Sequence, residues 1–247
     1  MKVAVLFTGN IRSFDQCKQN FIEKLSFLNP DYYVTTYDTR YNFRTYVNFH
    51  NDVNLSDDEI VNFFSGMNVK AIEIDNLAKM LEYFNSEKQK FDSSMTECEQ
   101  NHFLQFYKFK KGLDLVSNYE KITDTKYDVL IRARLDLIMK DINHLDLSNL
   151  ENTLINGWEI YSKWTASPTS DEKKVWNDFF MISTLDNMHK IIDNLLSEFY
   201  KKTHQKSPYA FPHGVFEAGI VKSNLKVENV DILHRIIRYG DVTEFVQ

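Results

Sequence analysis

The stretch KYDVLIRARLDLIMKD, from Lys126 to Asp141, decides the predicted fold of this protein. It is an apolar run of the kind found in the buried strands of α/β proteins. Three charged residues interrupt it, and alternation places Arg132, Arg134 and Asp136 on one face of a regular strand. Burying such charges is costly unless they are paired or bound to a ligand. The stretch therefore predicts a strand that carries either a structural salt-bridge cluster or a binding site.

Other apolar runs extend this strand into a sheet. The runs KVAVLFTGN and DYYVTTYDT predict strands at Val3–Phe7 and Tyr32–Thr36, and VKAIEID predicts a third. Short strands are predicted near Thr153–Ile155 and Asp178–Ser183, and one or two in LKVENVDILHRII. Helices are predicted for Phe14 to Leu28, for a segment opened by the capping box SDDE, and for NLAKMLEYF, Thr96 to Tyr119, TLDNMHKIIDNLLSEFYKK and HGVFEAGIVKS. Arg40–Leu55 and Ser86–Ser94 are predicted to be loops. The order of strands and helices predicts an α/β fold with a mostly parallel sheet flanked by helices.

Composition limits the classes of protein to be considered. Gly and Pro are scarce, 7 and 4 in 247 residues, which argues against long linkers and favours one domain over residues 1–247. A net charge of -6 argues against nucleic-acid binding. Two separate cysteines, Cys17 and Cys98, are typical of reduced thiols. No stretch approaches the roughly 20 apolar residues of a transmembrane segment. We expect a cytoplasmic location.

The loop after the first strand is the first candidate site. Ligands of open α/β sheets bind outside the carboxyl ends of the strands, where TGNIRSF lies. Thr8, Gly9 and Asn10 form the turn, Gly9 permits close backbone approach, and Arg12 reaches a phosphate. The alternative is a plain turn between strand and helix. Asp38 ends the second strand, either as a ligand contact or as an Asx turn.

The order of several short motifs resembles a known family. VAVLFTGNIRSF, YYVTTYD, FLQFYKFKKGLDLV, YDVLIRARLDL and WNDFFMISTLDNMHKI look like bacterial and large-virus glycosyltransferases of the GT-A fold, which build capsule, lipopolysaccharide or capsid glycans. That family carries a D-x-D motif that binds Mn²⁺ or Mg²⁺ and a nucleotide-sugar diphosphate. Here the motif is Arg134-Leu135-Asp136. The resemblance implies that Asp136 binds the metal, whereas Arg134 replaces the first aspartate of the motif and is not carried over as a metal ligand. From their charge, Arg132 and Arg134 are predicted to bind phosphate.

Five more residues receive roles from position and from this resemblance. Gln105 and Lys108 share a helix face that the resemblance places beside the donor site. Asp178 interrupts an aromatic run and is the predicted general base, with Glu217 as the competing candidate. His234 is the candidate for completing the metal shell. For all five, an ordinary structural role is the alternative.

These predictions combine into one hypothesis. The protein is expected to transfer a sugar from a nucleotide diphosphate sugar to a glycan or glycolipid acceptor in polysaccharide biosynthesis. Residues 1–140 would bind the donor and 141–247 the acceptor, with Trp158, Tyr161 and Trp164 stacking on sugars or packing in the core. The alternatives are a sugar nucleotidyltransferase, although TGNIRSF matches its Gly-rich loop poorly, and a non-catalytic nucleotide- or glycan-binding module.

Overall fold

The computed structural model describes residues 1–40, 53–91, 97–160, 174–202, 211–231 and 233–236, with the backbone alone described at some helix and strand ends. The strands are β1 (Val3–Thr8), β2 (Asp31–Tyr37), β3 (Thr39–Arg40), β4 (Val53–Asn54), β5 (Val69–Asp75), β6 (Val129–Arg134), β7 (Leu137–Met139), β8 (Thr153–Ile160), β9 (Lys174–Ser183), β10 (Lys226–Val230) and β11 (Leu233–Ile236). The helices are α1 (Phe14–Leu25), α2 (Asp57–Phe63), α3 (Leu77–Phe91), α4 (Glu97–Thr123), α5 (Leu185–Lys202) and α6 (Phe211–Lys222).

Seven of these strands form one sheet in the order β10-β8-β9-β6-β1-β2-β5. β1 lies parallel to both of its neighbours, with Thr8 opposite Thr35 of β2 and Arg134 of β6. β9 runs antiparallel to β6 and β8, while the other described pairs of this sheet are parallel. The predicted α/β fold with a mostly parallel sheet is confirmed, and the loops after β1, β2 and β6 meet at one edge.

The sheet is covered on both faces, as continuous apolar strands require. Along β1, Ala4 and Leu6 face the cluster formed with α3, α4, α5 and α6. Val5 and Phe7 face the cluster formed with α1 and α2. A Cβ added to Gly112 of α4 would lie 2.7 Å from a methyl carbon of Leu6, so this glycine lets α4 pack closely on β1.

Two predicted loops differ from the structure. α3 continues to Phe91, although the polar segment from Ser86 was predicted to be a loop. The segment holds no Gly or Pro, and the Ser86 hydroxyl donates to the Tyr83 carbonyl oxygen at 2.7 Å within the helix. The predicted loop Arg40–Leu55 has its ends paired as β3 and β4, and residues 41–52 lie outside the described residues.

The strand predicted within Lys126–Asp141 also ends differently in the structure. β6 stops at Arg134, and a turn over Leu135 and Asp136 leads into β7. β7 pairs with β11 and leaves the main sheet. Asp136 therefore lies in a turn at the sheet edge rather than on the face of a regular strand.

No helix among the described residues is both long and apolar enough to cross a membrane.

Candidate functional site

A small cavity lies at the carboxyl ends of β1, β2 and β6, where the topology predicts a ligand. Its volume is about 70 Å³, and it is lined by Thr8, Gly9, Asn10, Arg12, Tyr37, Leu104, Gln105, Arg134, Leu135 and Asp136. The loop after β1, the end of β6 and the first half of α4 supply most of these residues. Residues from distant parts of the chain thus meet at the predicted edge.

Three charged side chains form the centre of this cavity. Arg134 donates from Nε and Nη2 to the two oxygens of Asp136, at 2.9 Å and 2.6 Å. Arg12 Nη1 donates to Asp136 Oδ2 at 3.2 Å. The Asp136 side chain is 3% exposed, whereas those of Arg12 and Arg134 are 24% and 17% exposed. We call these three residues the arginine–aspartate cluster.

The cluster is electrostatically biased towards anions. Burial alone would raise the pKa of Asp136, but the neighbouring charges of Arg134 and Arg12 outweigh burial and hold the pKa below its usual range. Asp136 is therefore ionised at neutral pH. Two guanidinium groups and one carboxylate leave one net positive charge among the described charged residues that line the cavity.

The turn after β1 brings backbone to the same cavity. Gly9 has a φ of 115°, a conformation that L side chains rarely adopt, and its N–H donates to the Thr35 carbonyl oxygen at 3.1 Å. Asn10 Oδ1 is buried and has no hydrogen-bond partner in the structure. Asn10 therefore offers an amide group that a polar ligand would satisfy.

A further arginine, Arg40, holds the backbone of the loop that carries Arg12. Arg40 of β3 donates from Nε to the Arg12 carbonyl oxygen at 2.8 Å and from Nη2 to Asp15 Oδ1 at 2.8 Å. Its guanidinium carbon also lies 5.4 Å from the centre of the Phe63 ring. Sequence reasoning assigned Arg40 to a loop and gave it no role, because contacts across 28 residues leave no local pattern.

Arg132 lies apart from the described lining of this cavity. Its side chain is fully buried, Nε donates to Thr8 Oγ1 at 2.9 Å, and its guanidinium carbon lies 5.2 Å from the Phe109 ring centre. Alternation does place Arg132 and Arg134 on the same face of β6. However, α4 covers that face at Arg132, so Arg132 joins α4 to β1 while Arg134 reaches the cavity.

Asp38 makes contacts that differ from its predicted ligand role. Its Oδ1 accepts from the Leu77 N–H at 2.9 Å, and its Oδ2 accepts from Asn76 Nδ2 at 2.6 Å. Leu77 is the first residue of α3. Asp38 therefore satisfies a donor at the start of a helix, which favours the structural alternative over a ligand contact.

Gln105 and Lys108 share a helix face as predicted but differ in surroundings. Gln105 lines the cavity. Lys108 is fully buried, and its Nζ donates to Asp75 Oδ2 at 2.7 Å and lies 4.4 Å from the Tyr37 ring centre. Burial lowers the pKa of Lys108 to about 8, although Asp75 opposes the shift. Lys108 thus packs against Tyr37, which lines the cavity.

Replacing Lys108 with methionine tests whether this lysine is structural. We expect the free energy of unfolding to fall by about 1–3 kcal/mol, because the change breaks the ion pair but Lys111 Nζ, 3.0 Å from Asp75 Oδ1, remains. Differential scanning calorimetry measures the loss. The control is Lys110→Met, since Lys110 is 39% exposed and pairs with exposed Asp193. Equal effects of both changes would contradict a structural role for Lys108.

The other predicted site residues are described by backbone alone. Asp178 lies in β9, and the pairing of Ala133 with Phe180 carries it to the edge where β6 ends. Glu217 lies in α6. His234 lies in β11, whose Ile236 pairs with Leu137, the residue after Asp136. The side chains of these three residues, and those of Trp158, Tyr161 and Trp164, lie outside the described residues. Their roles stay predictions.

Three lining residues escaped sequence reasoning. Tyr37, Leu104 and Leu135 border the cavity, and the Tyr37 hydroxyl donates to the Leu104 carbonyl oxygen at 3.0 Å. All three are buried and resemble core residues in the sequence. Of the three, Tyr37 alone has a position from which the sequence could have predicted a place at the site, because it lies at the carboxyl end of β2.

A larger cavity, of about 750 Å³, opens at the opposite edge of the sheet. Asp128, Asn152 and Thr184 lie in its lining, and they stand at the amino ends of β6 and β8 and just after antiparallel β9. Acidic and basic side chains are mixed there. We favour the smaller cavity as the functional site, because charged side chains converge in it at the edge where α/β sheets bind ligands.

The described residues fit a divalent cation poorly. Mn²⁺ and Mg²⁺ need several oxygen ligands, but both Asp136 oxygens accept from arginines. No three His, Cys, Asp or Glu residues in the described part of the chain are grouped to hold a metal. A divalent ion about 4 Å from one guanidinium is repelled by about 8 kcal/mol at an effective dielectric constant of about 20, and the Asp136 carboxylate offsets that repulsion for only one of the two arginines. The predicted metal role of Asp136 and His234 stays a prediction.

Comparison with known proteins identifies the fold. No protein-family model matches the chain, and no curated protein matches it. Among solved structures, an active-site mutant of LgtC aligns with a TM-score of 0.50 and 10% identity, over 93% of this chain and 73% of LgtC. The galactosyltransferase LgtC in complex with donor and acceptor sugar analogs gives a TM-score of 0.47 at 10% identity and the same coverage.

A third solved structure is GlyE, a glycosyltransferase in Streptococcus pneumoniae TIGR4. It aligns with a TM-score of 0.47 and 13% identity, over 93% of this chain and 45% of GlyE. At such identities the comparison with the LgtC mutant identifies the fold alone. The chain has a GT-A glycosyltransferase fold, as its sequence predicted.

Proposed function

We propose that the protein is a glycosyltransferase that moves a sugar from a nucleotide diphosphate sugar to a glycan or glycolipid acceptor. The GT-A fold supports this proposal, and so does the position of the cavity at the carboxyl ends of β1, β2 and β6. Residues 1–140 would bind the donor and residues 141–247 the acceptor. Polysaccharide biosynthesis in the cytoplasm is the role that we propose for it.

The observation that carries this proposal is the pair of partly exposed guanidinium groups, Arg12 and Arg134, on one buried carboxylate. Sugar transfer releases a nucleoside diphosphate on which negative charge grows. Preorganised positive groups lower the free energy of that transition state. Because arginine donors match phosphate oxygens geometrically, the cluster suits a diphosphate better than a neutral ligand.

The size of the cavity limits what it holds. About 70 Å³ accommodates a phosphate group, whereas pockets for whole drug-sized ligands measure about 300–1,000 Å³. The sugar, the base and one of the two phosphate groups must therefore extend beyond the cavity. Asn10, with its buried amide oxygen, is positioned to bind a donor hydroxyl or N–H group near the diphosphate.

The proposal assigns the remaining chemistry to carboxylates that the sequence singled out. If the reaction inverts the anomeric carbon, a general base removes the proton of the acceptor hydroxyl. Asp178 is the proposed base because the backbone of β9 brings it to the edge that carries Arg134. Glu217 remains the competing candidate. Since the described residues fit a metal poorly, no step is assigned to one.

A donor-turnover assay tests the proposed function. The purified protein is incubated with UDP-, GDP-, CDP- and dTDP-sugars, and released nucleotide is measured by mass spectrometry. We expect slow hydrolysis of one donor class, and its loss in the Arg134→Ala variant. Lys190→Ala is the control, because Lys190 is an exposed lysine that lines the cavity at the opposite edge.

The outcomes separate the proposed function from its alternatives. Formation of a nucleotide sugar from a nucleoside triphosphate and a sugar phosphate would indicate a nucleotidyltransferase. Nucleotide binding without turnover, with or without a panel of oligosaccharide acceptors, would indicate a non-catalytic module. Turnover that Arg134→Ala and Lys190→Ala reduce equally would place the reaction away from the cluster.

A further inference from the structure

We infer that Arg12 and Arg134 bind the diphosphate of the ligand at the mouth of this cavity without a divalent cation, and that Asp136 is the residue that positions both arginines. This inference rests on the proposed function. It concerns how the same site binds its ligand, and it is an alternative to the predicted metal role of Asp136.

The first step of the argument is the charge at the sheet edge. A pair of carboxylates here would need a divalent cation to reach a net charge of zero. Arg134 and Asp136 reach zero by themselves, and Arg12 adds one positive charge. Within the described lining of the cavity, the protein already supplies the positive charge that a metal would bring to a diphosphate.

The second step is the access to each group. Asp136 is 3% exposed, and its two oxygens face the guanidinium groups of Arg134 and Arg12. An approaching metal cation would meet Arg12 and Arg134, which are 24% and 17% exposed, before it met the carboxylate. A phosphate approaching by the same route meets positive charge at once. The geometry favours the anion over the cation.

The third step is the rigidity of the arginines. Arg134 is held by a two-point contact with Asp136, and the backbone of Arg12 is held by Arg40. Arginines fixed in this way lose less conformational freedom when they bind phosphate. Asp136 therefore acts on the ligand through the arginines, as a positioning residue.

The metal dependence of nucleotide binding tests this inference. Isothermal titration calorimetry measures binding of UDP, GDP, CDP and dTDP to the metal-stripped protein, once with EDTA and once with MnCl₂. We expect one nucleotide to bind, with dissociation constants that differ by less than about threefold between the two conditions. Mn²⁺ alone, followed by its electron paramagnetic resonance signal, is expected to stay free in solution.

Two outcomes overturn the inference in different ways. Binding that is about tenfold or more tighter with Mn²⁺ would overturn it and leave the proposed glycosyltransferase function intact. No binding of any nucleoside diphosphate under either condition would overturn the proposed function and the inference together. Saturable binding of Mn²⁺ to the protein without nucleotide, lost in Asp136→Asn, would also overturn the inference.

Variants separate a positioning residue from a metal ligand. Asp136→Asn should weaken nucleotide binding by about tenfold in EDTA and in MnCl₂ alike, because the arginines lose their charged anchor. A metal ligand would lose affinity in MnCl₂ only. Since Asp136→Asn risks unfolding, Arg134→Lys is the second variant: it keeps the charge, loses the two-point contact, and should show the same equal loss.

Discussion

Asp178→Asn is expected to slow the chemical step of sugar transfer by about 10²- to 10⁴-fold while donor affinity stays nearly unchanged. This is the range for losing one general base. A base removes the acceptor proton and does not hold the diphosphate. Its loss should therefore slow the chemical step without weakening donor binding. The backbone register supports Asp178 as the base, because β9 runs past the end of β6, where Arg134 of the arginine–aspartate cluster lies. Single-turnover release of nucleoside diphosphate in the presence of acceptor measures the step.

Controls are needed because Asp178 lies in an aromatic segment of a central strand. The melting temperature of the variant shows whether lost stability mimics lost catalysis. Glu217→Gln is the matched control, since it removes the competing carboxylate from α6. A folded Asp178→Asn protein with near-normal transfer would exclude Asp178 as the base. A large loss in Glu217→Gln alone would assign the role to Glu217.

The second large effect is expected from the arginines of the cluster. Arg134→Ala should weaken binding of the nucleoside diphosphate by about 10- to 100-fold, because hydrogen bonds to charged groups contribute about 1.5–3 kcal/mol. Binding of the corresponding nucleoside should stay nearly unchanged, since it carries no phosphate. Arg12→Ala should act in the same direction. Calorimetric titration with both ligands measures the difference.

A destabilised protein would confuse this result, because Arg134→Ala leaves the buried Asp136 carboxylate with one fewer cation. The double variant Arg134→Ala/Asp136→Ala removes both charges and avoids that penalty. It should fold and still lose affinity for the diphosphate. If the variants weakened nucleoside and diphosphate equally, the arginines would act on the base or on folding, and the phosphate role would be wrong.

Local sequence patterns were enough to predict most of the elements. Continuous apolar runs gave β1, β2 and β6, because strands buried on both faces need no alternation. The capping box at Ser56 and Glu59 is present as predicted at the start of α2. Ser86 shows the limit: a polar segment without Gly or Pro is compatible with both a loop and a solvated helix, and here it is helix.

What the sequence by itself determined is most of the elements, their α/β order and the edge of the sheet at which Gly9, Arg12 and Asp136 meet. Only the tertiary structure decided what each charge contacts. Arg132 is buried against α4, Asp38 lies at the start of α3, and Asp136 accepts from two arginines. The physical reason is distance along the chain. Periodicity and caps are local, whereas a partly buried ion pair such as Arg12–Asp136 joins residues 124 positions apart.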